Sequence, residues 1–199
     1  MFIQVIEGKT NDKAGLARQH DRWASELAPG ADGYLGMTGG VAEDGTVIML
    51  ARFDSERSAK ANSERPEQGA WYEKEMSKVF ESNPTFIDCP DVTLYRNGGS
   101  DAAGFVQVMF GQADDPDAYK KIGAQFEAEM PTLRPDVIGG VTGFASDGRF
   151  ADVTYFSSEA EAREGEKKEL PQEMQNAMKE FSSYIQEFVD LRDPWFDSA

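Results

Sequence analysis

The chain has one cysteine and one histidine in 199 residues. A single thiol, Cys89, closes no disulfide within the chain and builds no thiolate metal site alone. Basic residues are scarce as well, with 20 Lys and Arg against 36 Asp and Glu and a formal charge of −16. That balance repels phosphate backbones and anionic bilayers, so neither a nucleic-acid partner nor a membrane partner is expected. Long apolar runs are missing too. The longest is Val47–Ala51, far short of a membrane span. The opening Met1-Phe2-Ile3-Gln4-Val5-Ile6 has no basic stretch of the kind that begins a secretory signal. A soluble, cytoplasmic protein is the expectation. Hydrophobic residues make up 40% of the chain and aromatics 11%, enough to fill a core and to exclude general disorder.

What the chain does contain is a repeat. Shifted by 103 residues, Phe2–Lys60 aligns with Phe105–Arg163 without a gap and with about a quarter of positions identical. Phe2-Ile3-Gln4-Val5 meets Phe105-Val106-Gln107-Val108, Gly8 meets Gly111, and Asp44-Gly45 meets Asp147-Gly148. Phe53-Asp54-Ser55-Glu56 meets Phe156-Ser157-Ser158-Glu159, and later Phe86-Ile87-Asp88 returns as Phe188-Val189-Asp190. Asn97-Gly98-Gly99-Ser100-Asp101 has linker composition. The expectation is two homologous domains over 1–97 and 103–199, joined by a linker at 98–102.

Each half carries the same order of signals. In the first, alternation predicts a strand from Phe2 towards Gly8. Asp12 then caps a helix with Leu16, His20, Trp23 and Leu27 on its apolar stripe. A strand over Tyr34–Ala42 meets Val47–Phe53 across Asp44-Gly45, a tight hairpin signal. Ser55 or Asp54 caps a second helical region broken near Pro66. A fourth strand lies near Thr85–Asp88, and Val92–Tyr95 could form a short fifth. This is the βαββαβ order of the ferredoxin-like α+β fold. The third strand is apolar on both faces, so its sheet needs a second cover. The other repeat's antiparallel sheet would supply it, closing an intrachain α/β barrel.

These residues resemble the dimeric α/β-barrel superfamily, here in tandem as a pseudo-dimer. The resemblance rests on Phe2–Lys9, on Gly36-Met37-Thr38-Gly39-Gly40-Val41 and on Asn62–Trp71, and the first repeat is also similar to tandem proteins of actinobacterial type. It implies a monomer with pseudo-dimer symmetry or a homodimer, and a cavity between helices and sheet for a small hydrophobic or aromatic molecule. The superfamily includes cofactor-independent aromatic monooxygenases, haem-degrading enzymes, lactone isomerases, stress-related proteins and regulatory ligand-binding domains, and fold chooses none of these. The haem-degrading branch uses an asparagine, tryptophan and histidine in an order that this chain does not reproduce. No cofactor and no metal are expected.

The halves act as controls for one another. His20 is replaced by Gly123, which costs roughly 1 kcal/mol in a helix interior and suggests either close packing or an unfilled space. A histidine there could be a general base, a haem ligand or a hydrogen-bonded core residue. Arg52, replaced by Tyr155, shares a strand face with Ile48 and Leu50, a face expected to lie under the helices. It needs an oxygen partner from the protein or a ligand. Glu7 is set aside as that partner, because strand register separates the two by roughly 15 Å. Asn62–Tyr72 is the most unusual stretch and has no tryptophan in its counterpart, where Glu173 aligns with Trp71. Catalysis is therefore sought at His20, and ligand contacts at Trp23, Arg52, Asn62, Trp71 and Tyr72. Tyr72 has a structural duplicate in Met174 and reads more readily as core than as a ligand contact. The second half is the more acidic, with 9 basic and 20 acidic residues over 100–199 against 11 and 16 over 1–99, and is expected to play a supporting part. A non-enzymatic binding or structural protein is the competing expectation.

Overall fold

In a computed structural model of the chain, the described residues run from 1 to 198, the side chain of Glu173 excepted. They form two compact units, 1–90 with 195–198 and 91–194.

In the first unit, β1 (Phe2–Lys9) leads into α1 (Lys13–Arg22), which continues as a wider turn over Trp23–Leu27. The β2 (Tyr34–Val41) and β3 (Thr46–Phe53) hairpin follows, then α2 (Glu56–Ser63), α3 (Pro66–Lys74) and β4 (Thr85–Cys89). Pro66 opens α3, where its missing N–H costs nothing. In the second unit, β5 (Asp91–Tyr95) precedes β6 (Phe105–Gln112), α4 (Pro116–Leu133), β7 (Val137–Phe144) and β8 (Arg149–Phe156). α5 (Glu159–Glu166), α6 (Gln172–Tyr184) and β9 (Ile185–Leu191) complete it, and β10 (Trp195–Ser198) belongs to the first unit. No helix is long and apolar enough to cross a membrane.

Each unit is an antiparallel five-stranded sheet, in the orders β10-β2-β3-β1-β4 and β5-β7-β8-β6-β9. Leaving aside β10 in one sheet and β5 in the other, the remaining four strands of each follow the ferredoxin-like order. The edge strand does not follow the repeat boundary. Val92–Tyr95, expected to end the first repeat, pairs with β7 in the second unit, while β10 pairs with β2 in the first. Edge pairing runs through backbone groups, which leave no mark in side-chain pattern.

Several identities between the halves have visible causes. Asp12 and Asp115 accept N–H groups from the first turns of α1 and α4, and Ser55 and Ser158 do the same for α2 and α5. Capping therefore falls to Ser55 rather than Asp54. Gln4 donates to Asp88 at 2.8 Å and Gln107 to Asp190 at 2.9 Å, each across the same strand pair. Gly45 and Gly148 sit at φ +85° and +84° in the two hairpins, each where a Cβ would lie 2.7 Å from a backbone oxygen, of Thr10 or Ala113. Both conformation and space demand glycine there.

The register settles which side chains face the helices. Met49 pairs with Ile6 and Val47 with Gly8, and these join Leu16, Trp23, Leu27, Tyr34, Met37, Phe53 and Met76 in one core under the helices. Ile3, Val5, Ile48 and Leu50 point to the opposite face and are also fully buried. Arg52 shares their face, so its expected place under the helices is wrong. Alternation grouped it with Ile48 and Leu50, but the helices cover the other row.

Replacing Gly45 or Gly148 by alanine should lower stability by roughly 1–3 kcal/mol each, read as a fall in urea midpoint. Equal midpoints for variant and native chain would refute the requirement.

Candidate functional site

Two cavities lie between helices and sheet, one in each unit. The first, of about 310 Å³, has Ile6, Met37, Met49 and Ala51 as its floor and His20, Trp23, Asn62, Trp71 and Tyr72 in its walls. Five of the six residues singled out in the sequence thus meet at one place. Arg52 does not. Its guanidinium donates to Thr38 Oγ1 at 3.2 Å and to the Asp197 carbonyl at 3.5 Å, on the face away from the cavity. The oxygen partners that its charge required come from the protein.

His20 reaches this wall because it lies one turn before Trp23 and one after Leu16 on the buried stripe of α1. It is 6% exposed. Its Nδ1 stands 3.5 Å from the Asp21 carboxylate, and its ring lies 5.7 Å from the Trp195 ring. Its Nε2 is buried without a hydrogen-bond partner, alone in this among the described side chains. A carboxylate beside Nδ1 favours the tautomer with the proton on that nitrogen, which leaves a lone pair on Nε2. Three other polar groups of the wall are engaged. Trp23 Nε1 donates to Gln68 Oε1 at 2.6 Å and Trp71 Nε1 to Gln19 Oε1 at 3.2 Å, tying α3 to the α1 segment. Asn62 Oδ1 accepts from Arg65 Nη1 at 2.9 Å. The two tryptophans therefore offer ring faces rather than donors.

The second unit, expected to be supporting, holds the larger cavity, about 720 Å³. Its apolar lining includes Met109, Phe126, Met130, Met174, Met178 and Phe181, and Asp152 lies in its floor. Asp152 is 4% exposed and accepts three hydroxyls, from Tyr95 at 2.8 Å and from Tyr119 and Thr142 at 2.9 Å each. Tyr95 also lies 2.8 Å from Thr154 Oγ1. Burial pushes the Asp152 carboxyl above its ordinary value, against the three hydroxyls, which pull it down. Burial and the neighbouring Asp152 both push Tyr95 and Tyr119 up, so both stay phenols and act as donors. Tyr95 crosses β7 at Gly140, where a Cβ would fall 1.8 Å from its ring.

Sequence reasoning missed this cluster, yet its signal was present. In the 103-residue alignment Asp152 replaces Met49, Tyr119 replaces Leu16, Thr142 replaces Gly39 and Thr154 replaces Ala51. Four polar groups that depart from apolar or small counterparts converge on one spot. Gly123 resolves the other way from His20. A Cβ there would meet nothing within 4 Å, so the glycine marks unfilled space rather than close packing. The side chain of Glu173, aligned with Trp71, lies outside the described residues. Among the described residues no group of three or more His, Cys, Asp or Glu converges as metal ligands would.

Solved structures resemble the chain over nearly its whole length. A candidate monooxygenase from Lactobacillus acidophilus is 13% identical with a TM-score of 0.65, over 96% of this chain and 91% of its own. An anthrone oxidase-like protein is 6% identical with a TM-score of 0.66, over 100% and 93%. A ferredoxin-fold protein from Listeria monocytogenes, related to antibiotic biosynthesis monooxygenases, is 10% identical with a TM-score of 0.52, over 100% and 95%. The chain has a ferredoxin-like α+β fold. At these identities the likeness is one of fold alone. No family model matches the sequence, and no curated protein matches it either.

Because Asp152 titrates higher when folded than its ordinary 3.8, the folded chain keeps a proton that the unfolded chain releases between those two values. Asp152 therefore makes stability fall as pH rises through that window. The urea midpoint of Asp152→Asn should decline less than that of the native chain from about pH 4 upward. Parallel curves would mean that Asp152 titrates alike in both states.

Proposed function

We propose that this protein binds a small hydrophobic, aromatic molecule in the cavity of its first unit and transforms it without a cofactor, as a monooxygenase or isomerase. The observation that carries this is the buried, unpartnered Nε2 of His20 in an aromatic wall. A buried acceptor without a donor costs free energy. A ligand O–H aimed at Nε2 removes that cost, and the same contact places the proton for transfer. Asp21 steadies the imidazolium that results. The anion left behind is reprotonated at another atom in an isomerase; in a monooxygenase it passes one electron to dioxygen, combines with the superoxide formed to give a carbon-bound hydroperoxide, and loses water to leave a carbonyl. Trp23, Trp71 and Tyr72 hold the ring of the substrate, and Asn62 is placed near its polar end. The monooxygenase-type names of the fold relatives favour the oxygenase branch.

The two-faced apolar strands support the finer architecture expected from the sequence. In it, two tandem repeats close sheet on sheet as an intrachain pseudo-dimeric barrel, working in the cytoplasm as a monomer or homodimer. The engaged state of both indole N–H groups and of Asn62 Oδ1 favours a second reading, a ligand-binding protein without catalysis.

The two readings separate with a dihydroxynaphthalene as probe. Both expect it to quench the fluorescence of Trp23 and Trp71. Under the enzyme reading it also drives oxygen uptake, which His20→Ala lowers by roughly 10²-fold or more while quenching persists. Quenching without uptake by the native chain supports the non-catalytic reading. Absence of quenching overturns both.

A further inference from the structure

Among the described residues, no cationic partner meets the carboxylate in the cavity of the second unit. Asp152 is buried in its floor, and every donor it meets is a neutral hydroxyl, from Tyr95, Tyr119 or Thr142. A carboxylate offers about four acceptor sites, so three donors leave one open. The basic side chains around the same cavity are committed elsewhere. Arg134 pairs with Asp136 at 2.7 Å, Lys120 with Asp91 at 2.5 Å, and Arg163 with Asp190 and with Glu166, while Lys168 donates to the Leu133 carbonyl at 3.3 Å. A buried carboxylate left without a counter-charge is costly, and a ligand cation is the group that offsets it.

Charge and shape agree with this. Residues 91–194 carry 10 Lys and Arg against 20 Asp and Glu, a net of −10, which draws cations and repels anionic ligands. The cavity's apolar lining, with Met109, Phe126, Met178 and Phe181, suits a hydrophobic body. The rings of Tyr95 and Tyr119 lie beside the carboxylate, to which their hydroxyls donate. Gly123 faces open space in the interior of α4. A glycine there forgoes the helix stability that alanine would give, and keeps the volume free.

We propose that the second unit is a binding site for an organic cation, a protonated amine on an apolar, aromatic body, with its ammonium group held by Asp152. This site is separate from the His20 cavity and does not depend on the reaction proposed there.

Calorimetry with tryptamine, tryptophol and indolepropionate tests it, since the three share an indole and differ in charge. Tryptamine should bind more tightly than tryptophol by roughly tenfold or more, with indolepropionate weakest. Asp152→Asn should bring tryptamine to the level of tryptophol and leave tryptophol unchanged. Should that variant fail to fold, Gly123→Phe decides, because Gly123 lines the cavity and a Cβ there meets nothing within 4 Å, so the ring starts into open space. It should abolish the preference for tryptamine. The proposal is overturned if none of the three binds, if tryptamine binds no better than tryptophol, or if its advantage survives in Gly123→Phe or in folded Asp152→Asn.

Discussion

The central antiparallel strand pair governs everything else in each unit. β1 meets β3 from Phe2↔Phe53 to Lys9↔Thr46, and β6 meets β8 from Phe105↔Phe156 to Gln112↔Arg149. These are the same eight pairs, displaced by 103 residues. Because side chains alternate across a strand, that register fixes the face of every residue along it, and a slip of one would invert the whole set. The residues with chemistry follow from it. Met49 and Asp152 occupy the same helix-facing position of the two sheets, and Arg52 and Tyr155 the same opposite one.

With the backbone held constant, the two units differ in what lines the space beneath their helices. Shared features maintain the frame: the aspartate and serine caps, the hairpin glycines with positive φ, the paired glutamine and aspartate on neighbouring strands. Where the frame is indifferent, the linings diverge. The first unit puts Leu16, Gly39, Met49 and Ala51 at the positions where the second has Tyr119, Thr142, Asp152 and Thr154. It also fills the helix position that the second leaves as Gly123 with His20. One cavity is aromatic with one buried acceptor left unpartnered, and the other is larger and centred on an acid ringed by hydroxyls.

Much of this was legible from local chemistry. Strand alternation, the Asp-Gly hairpin, the capping residues and the stripe through Leu16, His20, Trp23 and Leu27 each depend on neighbours a few residues away, and the sequence displays them directly. The gathering of His20, Trp23, Asn62, Trp71 and Tyr72 was legible too, because the halves could be compared. Three features were not. Alternation places Arg52 with Ile48 and Leu50 but does not say which row the helices cover. The edge position of β5 depends on backbone pairing with a distant strand. Asp152 is a departure from alternation rather than an instance of it, and it emerges only when each helix-facing residue is set against its counterpart.

The repeat also bears on why such groups persist. Burying Asp152, or leaving His20 Nε2 without a donor, works against folding. Neither is required by the architecture, since the first unit forms the same sheet with Met49 in place of the acid, and the second forms the same helix with glycine in place of the histidine. Each unit thus supplies the apolar or empty alternative for the polar choice made in the other. A polar group that is costly where it stands, and dispensable to the fold that holds it, is better explained by a ligand than by packing. On the two proposals made above, the cavities would be specialised separately, for an O–H donor in one and a positive charge in the other.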